Sequence, residues 1–431
     1  MKLTPSQRLY GIGTILFGAL FVCSHSFSAR GSPSFLIPLG IAGLFYLLAI
    51  REFFLVTRLP TNVLVFGLAI AACWHAVFLR LPPGPDDDIH RYVWDGRLQR
   101  LGYNPYIIIP DAPAAAVLHT AETHTLNNGN LPSPYPPGAE LFFRAITTIH
   151  ESIFTMKLAF VLCDLAIVFV LFILLRLTGQ AEHWVLAYAW HPLLAIEVAG
   201  SGHVDILGAL LLLMSATALV RGWRTPAAVA FGLAIAVKLL PIVLMPLYWK
   251  RIRLRDAALA GLTVALLYLP FLDHGHIVTG SIGTYVHSFR FNGPLFAALD
   301  QLADPKLLAA MALLAGLLTA VWMRQRAQEP IPDGFAWPMA AALFCAPVVY
   351  PWYLLWFLPF LRSIRTIPIV IWTISIFPTY YVWHLRATGH LWILPTWVMT
   401  IEYGAVAGAM AILLSRRLRR TGPHGKPHSA L

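Results

Sequence analysis

Apolar runs long enough to cross a bilayer recur along this chain, and they constrain its fold more than any other feature. The stretch at 61–79 carries no Asp, Glu, Lys or Arg, and a spanning helix needs about 20 such residues. Only 12% of the 431 residues are charged and 58% are hydrophobic, with a mean hydropathy of +0.68. A soluble domain carries roughly 25% charged residues. The sequence therefore predicts an all-α polytopic membrane protein, a single integral domain over 1–431. Spans are expected at 9–27, 34–50, 61–79, 156–176, 182–199, 203–220, 257–272, 304–323, 334–349, 351–361, 366–384 and 392–414.

The net charge of +11 does not indicate a nucleic-acid partner. The basic residues sit in short connections beside apolar runs, where topology explains them. Lys2, Arg8, Arg51, Arg58, Arg176, Arg221 and Arg224, the run KRIRLR at 250–255, Arg324, Arg326, Arg362, Arg365 and RRLRR at 416–420 mark the cytoplasmic side. The segment 225–249 is apolar between two basic flanks, and Lys238 and Pro241 interrupt it. It reads as a hairpin or broken helix with Lys238 toward the outer side, because irregular backbone at membrane depth must be buried or face water. This makes about 12–14 transmembrane segments, with both termini inside and a short basic tail at 416–431 expected to be disordered. The four cysteines, Cys23, Cys73, Cys163 and Cys345, lie in apolar segments and make no disulfide framework.

Three hydrophilic stretches fall on the opposite side: 80–155, 200–205 and 273–304. They hold most of the acids and half of the histidines, which the positive-inside bias does not explain. In the first, the triplet Asp86, Asp87 and Asp88 opens DDDIHRYVWDGRLQRLGYNPY. Ile89, Tyr92, Val93 and Gly96 form an apolar stripe, while Arg91 and Asp95 pair four apart. A short amphipathic helix on the outer surface is predicted, ended by Gly102, with a second one from Ala139. One aspartate suffices for a helix cap, and three adjacent ones repel, so the triplet points to chemistry. The prolines of LPSPYPPG stiffen the connection and place Tyr135 where an aromatic ring stacks on a sugar.

The blocks DDIHRYVWDGRLQRLGYNPY, LPSPYPPGAELFF, HPLLAIEVAGSGHVDILGALLLL, VKLLPIVLMPLYWKR and YPWYLLWFLPF occur in this order between about 86 and 361. As an ordered set they resemble bacterial membrane glycosyltransferases of the GT-C class, in particular mannosyltransferase-like members that use a polyprenyl-phosphate-linked sugar. Many relatives place the acidic loop after the first span, whereas here two further spans precede it. The resemblance implies 1–79 as N-terminal spans, 80–155 as the catalytic loop with two short surface helices, and 156–415 as a membrane bundle in the bacterial inner membrane.

It also implies direct displacement with inversion, mannose as the favoured sugar, and a glycolipid, polysaccharide or protein acceptor on the extracytoplasmic face. Such a reaction needs a base for the acceptor hydroxyl and cations for the departing phosphate. Asp87 is the expected base, Asp88 its orienting neighbour and Asp86 its rival. Arg290, His287, Lys238 and His203 are expected at the donor phosphate. Arg91, Trp94, Asp95, Tyr135, Asp205, Tyr350 and Trp352 are expected to line the substrate site. No cofactor is implied; a divalent metal on the acids is the lesser alternative. Without the resemblance, His203 and Asp205 also fit a hydrogen-bonded pair at a helix start, and Lys238 a lysine snorkelling to water.

The competing class is a transporter or flippase of a lipid-linked sugar, which also wants a lipid groove and buried charge. No inverted repeat supports it, and an outer loop of about 75 residues rich in acid exceeds what a transporter needs. The orientation is open to a direct check. A cysteine placed by Gly275→Cys should react with an impermeant thiol reagent in intact cells, above the background of the native cysteines. One placed by Arg253→Cys should react only after lysis. Labelling of Arg253→Cys in intact cells would reverse the orientation.

Overall fold

The computed structural model describes residues 3–84, 87–124, 126–327 and 332–421, without the side chains of 417–421. The N-terminal third comprises α1 (Pro5–His25), α2 (Pro33–Leu55), α3 (Thr61–Leu79), α4 (Ile89–Arg100), α5 (Pro137–Ile149) and α6 (Ile153–Leu177). The middle holds α7 (Val185–Ala189), α8 (Asp205–Val220), α9 (Arg224–Val237), α10 (Met245–Tyr248), α11 (Leu254–Tyr268) and α12 (Ile282–Ser288). The remainder is α13 (Pro294–Leu299), α14 (Pro305–Arg326), α15 (Ala336–Phe344), α16 (Ile367–Ser375), α17 (Tyr381–Ala387) and α18 (Thr396–Thr421). Among the described residues β-structure is limited to isolated bridges, so the fold is all-α as the apolar pattern predicts.

Eight helices among the described residues are long and apolar enough to cross a membrane, or nine if the bent pair Leu194–Gly200 and Asp205–Val220 counts as one span. The chain is a multi-pass membrane protein. The other apolar runs fold as shorter pieces. Residues 351–361, expected as a span, form two tight turns at Pro351–Trp356 and Leu358–Phe360. Prolines at the start of each turn prevent a continuous helix. Residues 182–199 divide between α7 and a π-helical turn at Leu194–Gly200. The segment 225–249 is broken, as Lys238 and Pro241 suggest. Helix α9 stops at Val237, Lys238 is extended (φ −159°, ψ 143°), and a tight turn at Leu240–Leu244 leads into α10.

Helix α1 packs against α2 and α3, α8 against α6 and α9, and α16 against α18. Buried polar contacts bind the bundle. Asp164 of α6 pairs with His75 of α3 at 2.9 Å and accepts from Tyr188. Glu402 of α18 accepts from Trp372 at 2.7 Å and from Asn292 at 2.9 Å. These intramembrane acids are satisfied structural partners, as such residues must be. The helix ladder of α18 continues through Thr421, so the described part of the basic tail begins as helix; residues 422–431 lie outside the described residues.

The helices of the loop at 80–155 depart from expectation in one respect. Helix α4 does not lie on a surface: ten of its twelve residues, including Arg91 and Asp95, are buried. The loop that follows folds over it, with His119 stacked on Trp94 at 4.1 Å, while α5 and α6 close its other sides. The arginine and aspartate expected on a surface helix do pair, but as an interior pair at 3.1 Å. Gly102 ends the helix region with φ +83°, as expected.

Candidate active site

A cavity of about 710 Å³ opens where these breaks and loops converge. The start of α4 contributes Asp88 and Arg91, and the proline-rich connection contributes Asn127 and Tyr135. Asp205 comes from the start of α8 and Lys238 from the break after α9. The segment around α12 adds Tyr285 and Arg290, and the turn after α15 adds Tyr350, Trp352 and Tyr353. Trp383, Arg386 and Trp392 close the C-terminal side. A second wall is apolar, formed by Leu239, Leu240, Ile282, Val286 and Leu343.

The aspartate triplet divides. Asp86 lies outside the described residues. Asp87 is 4% exposed and does not line the cavity; it is held by Arg30 at 2.8 Å and by the Gly84 N–H at 2.7 Å. Asp88 does line the cavity. Its backbone carbonyl starts α4, accepting from the Arg91 and Tyr92 amides at 2.9 and 3.1 Å. Its side chain makes no capping hydrogen bond, although an aspartate at this position ordinarily caps the helix. It accepts instead from the Asn127 amide at 2.6 Å. Of the two described acids, Asp88 is thus the one whose carboxylate faces the cavity.

Lys238 donates to both carboxylate oxygens of Asp205, at 2.7 and 3.0 Å, and lies 3.8 Å from the Tyr353 ring centroid. Trp356 Nε1 donates to the same carboxylate at 2.7 Å. Lys238 is not a snorkelling lysine; its side chain is 22% exposed into the cavity, while Asp205 is 1% exposed. An ammonium has three donors, so it can meet a second anion without leaving the first. His203 and Asp205 do not form the hydrogen-bonded pair that their spacing suggests. His203 Nδ1 meets Glu197 at 2.9 Å, behind Trp352. Gly202 turns the chain there with φ +78°, and a Cβ would stand 2.5 Å from Ile89 Cδ1.

Four rings form a continuous stack, Phe291–Tyr350–Trp352–His203, with centroids 4.4, 4.3 and 4.1 Å apart. Tyr350 and Trp352 have stacked neighbours on both faces, so they show edges to the cavity. Trp94, by contrast, lies in a separate cluster with Leu98 and Ala115 and does not reach the cavity. Arg290 lines the cavity but is gripped by Asp300 at 2.9 and 3.0 Å. His287 is exposed and borders a separate shallow depression beside Lys306. Tyr135 lines the cavity with its ring edge-to-face against Tyr92 at 5.1 Å. No group of three or more His, Cys, Asp or Glu side chains is placed to hold a metal ion among the described residues.

Behind Arg91 lies a second acidic pair. Asp95 bonds Arg91, and Glu140 of α5 accepts from Ser133 and, at 2.8 Å, from Gln99. Both carboxyls are fully buried. Burial, together with the neighbouring Asp95, pushes the Glu140 pKa well above the usual carboxylate range. Burial raises Asp95 as well, opposed by Arg91. Glu140 therefore holds a proton under conditions where exposed carboxyls have lost theirs.

Sequence reasoning missed Asn127, Arg386 with its neighbours Trp383 and Trp392, and Tyr285, whose hydroxyl lies 2.8 Å from that of Tyr353. A signal for the arginine was present. Arg386 falls between expected spans on the acid-rich side, where the charge bias leaves an arginine unexplained. Arg30 stands in the same position between the first two spans.

The model of a family described as "Alpha-(1->6)-mannopyranosyltransferase, N-terminal domain" matches residues 28–252, just over half of the chain. Among solved structures, the chain is similar to ArnT from Cupriavidus metallidurans, crystallised bound to undecaprenyl phosphate. The identity is 18%, over 84% of this chain and 73% of that one, with a TM-score of 0.45. None of the curated proteins matches.

The buried proton gives a pH test. Because the folded-state pKa of Glu140 is raised, its contribution favours the fold at low pH and is lost as pH rises through the folded value. Glu140→Gln removes that loss. The melting temperature of the variant minus that of the wild type, in detergent, should therefore become more positive between about pH 5 and about pH 9. A difference that is constant or more negative with pH would contradict a protonated Glu140.

Proposed function

The chain belongs to the alpha-(1->6)-mannopyranosyltransferase family, and from that premise we propose that its cavity takes mannose from a polyprenyl-phosphate donor and transfers it to an acceptor hydroxyl, with Asp88 as the base. The observation that carries this reading is that Asp88, whose described side-chain partner is the Asn127 amide, lines the same cavity as Lys238, Arg290 and Arg386. That combination supplies what the reaction requires at its two ends.

The acceptor hydroxyl attacks the anomeric carbon while the bond from that carbon to the phosphate oxygen breaks. The hydroxyl proton passes to the Asp88 carboxylate. The departing polyprenyl phosphate gains one negative charge, and the cations nearest to that growing charge stabilise it most. Attack from the side opposite the leaving group inverts the anomeric centre. Asn127 holds one Asp88 oxygen at 2.6 Å, leaving the other for the proton. Lys238 meets the phosphate while still bound to Asp205. The apolar wall around Leu239, Leu240 and Val286 suits the start of a prenyl chain, and Tyr135 flanks the sugar.

The base role passes from Asp87 to Asp88 because Asp87 spends its charge on Arg30 outside the cavity. Trp94, Asp95, His203 and His287 do not line the cavity and are not among the proposed substrate contacts. The charge pattern supports an extracytoplasmic site, since every stretch that reaches the cavity from an outer loop lies on the acid-rich side. The acceptor is a glycolipid, a polysaccharide or a protein presented there.

Membranes or purified enzyme given radiolabelled polyprenyl-phosphate mannose should release free polyprenyl phosphate as mannose appears in the acceptor. Asp88→Asn should lower transfer by about a hundred- to ten-thousandfold while the donor still binds. Near-normal turnover in Asp88→Asn would remove this carboxylate from the chemistry. Donor movement without release of polyprenyl phosphate would mark a transporter instead.

A further inference from the structure

We propose that Arg30, from the connection between α1 and α2, is a positioning residue for the transfer: it clamps Asp87 so that the strap entering α4 presents Asp88 to the cavity. This rests on the reading of Asp88 as the base. Neither Arg30 nor Asp87 lines the cavity, so the effect must pass through the chain.

The described residues of the strap between Leu79 and Ile89, 80–84 and 87–88, are held from several sides. Lys157 of α6 donates to the carbonyls of Phe78 and Leu81 at 3.1 and 2.7 Å. The His90 ring meets the carbonyls of Gly84 and Glu122 at 3.1 and 2.8 Å. At its end, Asp87 receives Arg30 Nη2 and the Gly84 N–H, at 2.8 and 2.7 Å. The other arm of the guanidinium, Nη1, donates to Ser201 Oγ at 2.6 Å. One planar fork therefore ties three chain segments: the first helix connection, the strap, and the turn before α8 that carries Asp205.

The approach is close. A Cβ on Gly84 would stand 1.9 Å from Arg30 Nη2, so this position needs glycine for the guanidinium to reach Asp87. The pair is 5% and 4% exposed. A buried pair of this kind adds little net stability over apolar groups of similar size, and its better-attested use is to fix one arrangement among several. Here the arrangement fixed is that of adjacent carboxylates. With Asp87 pinned away from the cavity, the next residue starts α4 with its carboxylate turned toward it, uncapped. Lysine cannot reproduce this fork, since its donors radiate from one nitrogen, whereas Arg30 reaches Asp87 and Ser201 from two.

Three variants test the clamp: Gly84→Ala, Arg30→Lys, and the double change Arg30→Met with Asp87→Leu, which removes both charges together. For each, kcat, the donor KM and the thermal transition in detergent are measured. In variants that keep the wild-type transition within a few degrees, kcat should fall about 10- to 100-fold, the effect of a misplacement near 1 Å, with donor KM changed by less than about threefold. A merely structural pair would leave kcat per folded enzyme unchanged, so wild-type kcat in a folded Gly84→Ala or double variant would overturn the proposal. Failure of all three variants to fold would also overturn it, assigning the pair to the fold alone. Asp88→Asn separates the two readings. If it is active, the base reading falls; if it is inactive while the double variant works normally, only the clamp falls.

Discussion

Irregular backbone cannot face lipid, because each unsatisfied N–H or C=O there costs several kcal/mol. This constraint organises the molecule. Its breaks lie at the turn before α8, at Lys238 after α9, and at the turns following α15, and each sends a side chain to one cavity: Asp205, Lys238 and Tyr350. A helix break frees polar groups and turns side chains across the bundle axis. Asp205 and Lys238 come from two different breaks, yet they meet at 2.7 Å. The polar interior of the site follows from the places where the spans fail to be continuous.

Charge in this interior is paired almost wherever its partners are described. Lys238 stands with Asp205, Arg290 with Asp300, Arg91 with Asp95, Arg30 with Asp87, and His203 with Glu197. Removing two charges from water is repaid only with close geometry and further hydrogen bonds, and each of these pairs carries at least one additional contact. Asp88 differs: its described partner is the neutral amide of Asn127. In the proposed reaction the paired cations set the shape of the site, and Asp88 is the acid proposed to take the proton.

Much of this was legible in the sequence, for physical reasons that differ by element. The span at Thr61–Leu79 was bounded correctly because nothing charged interrupts it. The break at Lys238 was legible because a lysine and a proline both oppose a continuous helix in lipid. The run at 351–361 misled, since a fully buried apolar stretch has the same composition whether it is a helix or two turns. Helix α4 misled too: it was expected on a surface, and the apolar residues of the following loop that cover it, Ile108, Ala115 and Leu118 against Trp94 and Leu98, carry no helical or strand period that would announce the contact. The choice between Asp87 and Asp88 was beyond local pattern. It depends on Arg30, 57 residues earlier, and a contact of that range leaves no periodic trace.

The central claim is that one cavity holds the donor phosphate beside Lys238 and the reacting sugar beside Asp88. The most direct measurement is an experimental structure of the protein with a non-transferable polyprenyl-phosphate mannose analogue. The account predicts the phosphate within hydrogen-bonding distance of Lys238 Nζ, the prenyl chain against the Leu239–Leu240 wall, and the anomeric carbon facing the Asp88 carboxylate, with Asp87 still bound to Arg30. A phosphate seated outside this cavity, or an Asp87 carboxylate released from Arg30 and turned to the sugar in place of Asp88, would contradict it.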